Sequence, residues 1–175
     1  MKKSKINLKK PNKTHQKGNF PPLKLDATDK YLLELLQNDS TTNVNDLAEE
    51  VNLSKTPVYE RIKRYLKEGI IKKYVAILDT NKMEPSMFVF CSVSLDNQKL
   101  VAIEQFKTAI EDIPEVIECY LMGGVNDFLL KVVVKDLKAY HVFSSGRLAA
   151  LPNVSQIKST FILEEVKRST VIPLI

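Results

Sequence analysis

Residues 54–78 read SKTPVYERIKRYLKEGIIKKYVAIL, and this stretch indicates the fold of the N-terminal half of the chain. Ser54 is a typical N-cap, and Pro57 falls in the first helical turn, where its missing N–H costs little. An apolar stripe at helical spacing starts at Val58, and Gly69 is suited to end the helix in a left-handed conformation. The stretch therefore predicts a helix with one apolar and one basic side.

Two shorter helical patterns precede this basic helix. Asp26 and Asp29 form a variant of the capping box, and leucines follow at helical spacing as far as residues 38–39. Asn43 then caps an apolar stripe made of Val44, Leu47, Ala48 and Val51. Asn52 tolerates the left-handed conformation of a tight turn. Three helices with a three-residue turn before the last predict a helix-turn-helix that binds double-stranded DNA.

The outward side of the third helix predicts the DNA contacts. Side chains turned away from Val58 and Ile62, together with those at the helix N-terminus, can reach base edges and phosphates in the major groove. The predicted DNA-binding residues are Ser54, Lys55, Thr56, Tyr59, Glu60, Lys63 and Arg64. Arg61 lies nearer the buried flank. It is either a base reader or, as we favour, the ion-pair partner of an acid such as Asp29 or Glu50.

Positive charge is concentrated in two segments. Residues 1–24 contain eight lysines and no acidic residue, although the whole chain carries a formal net charge of only +5. Seven further Lys and Arg residues fall within residues 55–73. Such clustering is typical of a polyanion-binding protein, although a charge run is also common on a plain solvated face. We expect residues 1–24 to be a disordered lysine-rich arm that adds sequence-independent affinity for DNA.

The C-terminal half follows a different pattern. Apolar strand-like runs and helical stripes alternate in the order β-α-β-β-α-β, with strands at residues 87–95, 116–121, 128–134 and 154–164 and helices at 99–110 and 137–148. This order predicts a ferredoxin-like domain, and the fold class is therefore α+β. One face of such a sheet is left bare by the helices, which predicts a homodimer that covers it.

The predicted organisation has four parts. A disordered arm spans 1–24, the helix-turn-helix domain 25–74, an exit strand and linker 75–86, and the ferredoxin-like domain 87–175. The exit strand is the run Ile70 to Asp79, with sequence IIKKYVAILD.

No catalytic residue, metal site or cofactor is predicted. The two histidines, His15 and His141, are far apart in the sequence, and the two cysteines, Cys91 and Cys119, are too few for a disulfide framework. No apolar run approaches the roughly 20 residues that cross a bilayer, and no apolar stretch follows the N-terminal lysines. We expect a cytoplasmic, nucleoid-associated protein without membrane contact. An enzyme built on the ferredoxin-like fold remains an alternative.

Several motifs resemble one known family. Residues 54–78 closely resemble the recognition helix and exit strand of the leucine-responsive/asparagine-responsive (Lrp/AsnC, or feast/famine) regulators. Leu25-Asp26 with Asp29 is similar to their opening motif, and the run VIECYLMGGVNDFLLKV at 116–132 resembles their glycine-turn effector motif. Leu151-Pro152-Asn153-Val154 and Glu165-Val166-Lys167 follow in the family's order. The resemblance covers residues 25–175. It implies a sequence-specific transcriptional regulator, modulated by a free amino acid, that forms homodimers and possibly octamers.

The glycine turn is the predicted effector site, formed by Met122, Gly123, Gly124, Asn126 and Asp127. Two adjacent glycines let backbone N–H groups approach a carboxylate without interference from Cβ atoms, and Asp127 could meet an ammonium group. These groups suit the amino-acid effector that the resemblance implies. The alternative is a simple hairpin turn in which the glycines supply positive φ angles and Asp127 caps the loop.

The chain departs from the family pattern in the third helix and in the turn before it. Tyr65-Leu66 replaces the common Leu-Glu, which should alter packing more than DNA contact, and Asn52 replaces a frequent glycine. The residues of the glycine turn also vary in the family with ligand preference. A second function therefore stays open. The long basic arm favours an architectural protein that compacts DNA without any effector.

Overall fold

The computed structural model describes residues 24–84 and 86–174, which form two compact units. Of the described residues, 24–74 and 170–174 belong to the first unit and 75–169 to the second. The division after residue 74 falls at the predicted end of the helix-turn-helix domain. The last residues, however, group with the helix-turn-helix unit. The predicted lysine-rich arm lies outside the described residues, except for Lys24.

The first unit contains the three expected helices: α1 (Ala27–Asn38), α2 (Val44–Glu50) and α3 (Lys55–Lys67). Asp26 caps α1 in a capping box with Asp29, and the side chain of Asn43 accepts hydrogen bonds from the first turn of α2. Asn52 adopts a φ of 52° in the turn between α2 and α3, and Gly69 a φ of 72° after α3. Both residues take the left-handed conformation that the sequence predicted.

The core of this unit comes from one face of each helix. Its buried side chains are Leu32, Leu33, Leu36, Leu47, Ala48, Val58 and Tyr65. Ala48 is the small residue of this core, so α2 and α3 can approach each other closely. Because the apolar side of α3 is fixed in this core, its opposite side is presented to solvent.

The predicted exit strand is not formed. Residues 72–79 pair with no other strand in the described part of the chain, and only a 3-10 turn, Thr80–Lys82, follows in the linker. The pattern of Ile70 to Asp79 suits a strand, but a strand needs a neighbour to satisfy its backbone groups. Tyr74, Val75, Ile77 and Leu78 are large apolar side chains left exposed on this segment.

The second unit has the predicted β-α-β-β-α-β order. Its elements are β1 (Met87–Leu95), α4 (Leu100–Glu111), β2 (Val116–Leu121), β3 (Phe128–Val134), α5 (Leu137–Phe143) and β4 (Val154–Phe161). The sheet order is β2-β3-β1-β4, and the three neighbouring pairs are antiparallel. The fold class is α+β, as predicted. The last helix is shorter than expected, because residues Ser144–Leu148 continue it as a π-helical turn.

The sheet has one covered and one open face. Alternate side chains of β1 and β3 point to α4 and α5 and are buried. In this core, the ring centroids of Phe106 and Phe128 lie 4.4 Å apart. On the opposite face, Phe88, Phe90, Leu129 and Val133 are only partly buried. This alternation is the period of two expected of a sheet packed on one side.

Candidate nucleic-acid interface and effector turn

The exposed side of α3 carries most of the residues predicted to bind DNA. Ser54, Lys55, Thr56, Tyr59, Glu60 and Lys63 are all exposed, whereas Arg64 is partly buried. Neither Lys55 nor Lys63 has an ion-pair partner among residues 24–84 and 86–174. Their charges are therefore available to an outside polyanion.

The N-terminus of α3 differs from those of α1 and α2. Ser54 occupies the N-cap position with extended backbone angles, but its side chain makes no capping hydrogen bond within the described chain. The hydroxyl of Ser54 and the first backbone N–H groups of α3 therefore face solvent beside Lys55. Such groups at a helix N-terminus can bind a phosphate.

Asp29 joins α1 to α3 through a single carboxylate. Its Oδ1 accepts hydrogen bonds from Arg64 Nη2 at 2.7 Å, from Tyr65 Oη at 2.7 Å and from Arg61 Nη1. Its Oδ2 accepts a hydrogen bond from the backbone N–H of Asp26 at 3.1 Å, and Arg61 Nη1 also lies 2.9 Å from Asp26 Oδ2. The interpretation of Arg61 as the ion-pair partner of Asp29 agrees with this geometry. Glu50 instead accepts a hydrogen bond from Tyr31.

The environment of Asp29 strongly favours the charged carboxylate. Burial alone would raise the pKa of Asp29, whose side chain is only 2% exposed, but hydrogen bonds from Tyr65, the Asp26 N–H and Arg61 lower it to about 2. Burial and the hydrogen bond to Asp29 also raise the pKa of Tyr65 above its ordinary value. At neutral pH, Asp29 is therefore an anion that several donors surround.

The structure directs Arg64 towards Asp29. Arg64 Nε is buried with no hydrogen-bond partner among the described residues, and the guanidinium also lies 5.6 Å from the centre of the Tyr65 ring. Arg61 and Arg64 are three residues apart on one helical flank, so the sequence held a signal for a shared acidic partner. The hydrogen bond from the Tyr65 hydroxyl to Asp29 was not predicted, because a tyrosine on the apolar face of a helix is expected to pack in the core and gives no indication of its polar partner.

The predicted effector turn connects β2 to β3. The Met122 N–H donates to the Asp127 carbonyl at 2.8 Å and closes the turn. The Asp127 N–H donates to the Val93 carbonyl at 3.0 Å, and Ser94 Oγ donates to Asn126 Oδ1 at 3.3 Å. The turn is therefore held against the end of β1.

Neither Gly123 nor Gly124 has the left-handed backbone conformation that would require a glycine. Of the glycines that the structure describes, Gly69 alone has a positive φ. A Cβ atom built on Gly123 or Gly124 would meet nothing within 4 Å. One part of the hairpin alternative, that these glycines supply positive φ angles, is therefore wrong. The space above them is open to a molecule from outside the chain.

Asp127 is already engaged by the chain itself. Asp127 is 8% exposed as a residue. Its Oδ2 accepts a hydrogen bond from the Leu95 N–H, and its Oδ1 accepts one from Gln98 Nε2, both at 2.8 Å. Asp127 thus ties the turn to the end of β1, as the alternative interpretation expected. The sequence offered no signal for Gln98, because a polar residue in a loop has many possible partners.

The described residues hold no group of three or more His, Cys, Asp or Glu side chains placed to bind a metal ion. Cys91, Tyr140 and Ser159 form a hydrogen-bonded chain beneath the sheet, and burial raises the pKa of both Tyr140, to about 12, and Cys91. Such shifts stabilise the neutral groups and do not activate them. Within residues 24–84 and 86–174, no helix is long and apolar enough to cross a membrane.

Two family models match the chain, one for each unit. Residues 25–72 match the winged helix-turn-helix DNA-binding family, and residues 88–172 match the Lrp/AsnC ligand binding domain. The Bkd operon transcriptional regulator of Pseudomonas aeruginosa is 40% identical over 150 residues, which are 86% of this chain and 98% of that protein. The leucine-responsive regulatory protein of Escherichia coli is 36% identical over 85% of this chain and 91% of its own length.

Solved structures show the same similarity. A Neisseria meningitidis transcriptional regulator in complex with L-methionine has a TM-score of 0.80 and 31% identity, covering 86% of this chain and 97% of its own. An AsnC family transcriptional regulator from Agrobacterium tumefaciens has a TM-score of 0.79 and 36% identity, covering 85% of this chain and 97% of its own. These similarities extend across both units.

Proposed function

The chain belongs to the Lrp/AsnC family of DNA-binding transcriptional regulators, which are not enzymes, and we propose that its two sites divide the work of a ligand-responsive regulator. The exposed side of α3 binds double-stranded DNA, and the turn at residues 122–127 binds a free amino acid. The single observation that carries the proposal is the open space above Gly123 and Gly124, since neither glycine is required by the chain's own fold.

For DNA, the proposed contacts are the exposed residues of α3. Lys55 and Ser54 bind phosphate at the helix N-terminus, and Lys63 binds a second phosphate. Base edges are contacted by three exposed side chains of α3, namely Thr56, Tyr59 and Glu60. Arg64 is left out of this set, because its guanidinium is bound to Asp29.

For the effector, the proposed site combines backbone and side-chain groups of the turn. The N–H groups of Gly123 and Gly124 bind the carboxylate of an amino acid. Asp127 Oδ1, which accepts a hydrogen bond from Gln98, is the oxygen proposed to meet its ammonium group, while Met122 and Asn126 flank the ligand. The L-methionine complex of the Neisseria meningitidis relative supports an amino acid as the ligand class. A coupling of about 1–3 kcal/mol between ligand and DNA binding would be typical of such a switch.

For assembly, we infer a homodimer that can associate further into octamers. The open sheet face with Phe90 and Leu129, and the exposed segment with Val75 and Ile77, are apolar surfaces that one chain leaves uncovered. A two-fold dimer would also place two α3 helices in successive major grooves, about 34 Å apart. DNA binding in turn supports residence in the cytoplasm, on the nucleoid.

Footprinting with purified protein on genomic DNA fragments tests this function. We expect discrete protected sites whose occupancy changes when one of the twenty amino acids is added, and calorimetry should show that this amino acid binds the protein. Coating of every fragment in proportion to its length, unchanged by all twenty, would instead indicate the architectural protein. Matched calorimetry on Gly124→Val should show loss of ligand binding with DNA binding retained.

A further inference from the structure

Two acidic and two basic side chains form a charge-balanced group between α1 and α3. Asp26 and Asp29 lie at the start of α1, and Arg61 and Arg64 lie on the flank of α3 that faces them. The formal charges of these four side chains cancel. The cations of α3 that remain without a partner among the described residues are lysines, namely Lys55, Lys63 and Lys67.

The contacts of Arg64 are those of a side chain held inward. Arg64 Nη2 donates to the nearly inaccessible Asp29 Oδ1 at 2.7 Å, and Arg64 Nε is buried with no partner in the described part of the chain. A guanidinium binds phosphate or guanine best when two of its N–H groups point the same way into solvent. With Nη2 bonded to Asp29 and Nε buried, the Nε–Nη2 edge of the Arg64 guanidinium is not available to DNA.

We propose that Asp29 is a specificity-determining residue, which withholds Arg64 from DNA and so limits sequence-independent binding by α3. The proposal rests on the DNA-binding role of α3. Arginine is the side chain that binds phosphate most firmly in two-point geometry, so a free Arg64 beside Lys63 would add affinity for any sequence. Lysine contacts alone give weaker sequence-independent binding to phosphates. The base contacts then account for a larger share of the affinity, so operator and random DNA are better distinguished.

The test compares two neighbouring cations of α3 on a duplex of random sequence. Lys63→Gln should make the salt dependence of binding shallower by about one phosphate contact, a slope change of roughly 0.9 in log–log units. Arg64→Gln should leave that slope unchanged. Because Arg64 is three-fifths shielded and already paired, its loss removes no phosphate contact. Thermal unfolding of each variant checks that the protein is folded under the binding conditions.

The Asp29→Asn variant tests whether Asp29 keeps Arg64 from binding DNA. Asparagine keeps the shape of the side chain but removes the charge that holds Arg64. Affinity for random duplex should therefore rise, and the salt dependence of binding should steepen by the amount expected for one added phosphate contact. The fall in affinity between about 50 and 200 mM salt should then become roughly threefold larger. Adding Arg64→Gln should abolish the gain. A merely structural role would give the opposite result, since partial unfolding lowers affinity and does not steepen its salt slope.

Three results would overturn the proposal. Arg64→Gln could lower the salt slope as much as Lys63→Gln does, which would show that Arg64 already contacts phosphate. A folded Asp29→Asn protein could bind random duplex no better than the wild type. Finally, a wild-type protein that binds no duplex at all would remove the DNA-binding role of α3 and this inference together, whereas the first two results would leave that role intact.

Discussion

Gln37 of α1 and Ile172 of the C-terminal segment are joined by a pair of hydrogen bonds. The Ile172 N–H donates to Gln37 Oε1 at 2.7 Å, and Gln37 Nε2 donates to the Ile172 carbonyl at 3.1 Å. The amide side chain thus satisfies both backbone groups of one residue, as a neighbouring strand would. This pairing explains why residues 170–174 group with the helix-turn-helix unit although they follow the whole second unit in sequence.

We expect Gln37→Glu to release the C-terminal segment. A glutamate can still accept from the Ile172 N–H, but its second oxygen faces the Ile172 carbonyl in place of a donor, so the net gain of about 1 kcal/mol from the second bond is lost and replaced by repulsion. Hydrogen exchange should show lower protection of the Ile172 amide. Asn38→Asp, also at the end of α1, is the control and should leave that amide protected. Unchanged exchange in Gln37→Glu would contradict the role of this pair.

The depressed pKa of Asp29 predicts a specific loss of stability in acid. The folded-state pKa is about 2 against an ordinary value of 3.8, so the charged carboxylate stabilises the folded state by about 2 kcal/mol above pH 4. This stabilisation is lost as the pH falls through the folded-state pKa. Denaturant unfolding of wild type and Asp29→Asn should therefore differ most above pH 4, and the difference should shrink towards pH 2. A difference that stays constant over this range would show that the charge of Asp29 contributes nothing.

Gly124 and Gly69 form a matched pair for the effector turn. Neither would bring a Cβ atom within 4 Å of a neighbour, but Gly69 has a φ of 72° and Gly124 has no positive φ. Gly69→Ala should therefore destabilise the protein by about 1–2 kcal/mol, whereas Gly124→Ala should change stability by less than about 1 kcal/mol. Calorimetry should find amino-acid binding weakened by Gly124→Ala and retained by folded Gly69→Ala. Equal ligand affinity in both variants would place the ligand elsewhere.

The exposed segment before the second unit predicts an effect on assembly. Ile77 is 62% exposed, and in a dimer an apolar side chain there would be buried. Ile77→Lys should therefore weaken self-association, as measured by sedimentation over a range of concentrations. Val142→Lys places the same charge at an equally exposed position on α5 and should leave the dimer intact. If both variants assemble like the wild type, residues 75–78 lie outside the dimer interface.

Local sequence patterns predicted the three helices of the first unit and the helices and strands of the second, with most of their ends. Asp26 and Asn43 predicted helix starts because short polar side chains satisfy the first N–H groups, and Gly69 predicted a helix end because it tolerates positive φ. The apolar runs at residues 87–95 and 128–134 predicted strands, and the β-α-β-β-α-β order predicted a sheet with one bare face. These signals act within one element, so they do not depend on where that element packs in the folded protein.

The pairing of side chains was not predictable from these local patterns. The sequence placed Arg64 on the outer side of α3, yet its guanidinium reaches Asp29, because a long side chain can turn from an exposed Cα to a buried anion. Residues 72–79 have the composition of a strand but no partner strand within the described chain, so they form none. Gln98 and Gln37 bind residues 29 and 135 positions away. Such contacts depend on which elements meet in space, and no local pattern encodes that.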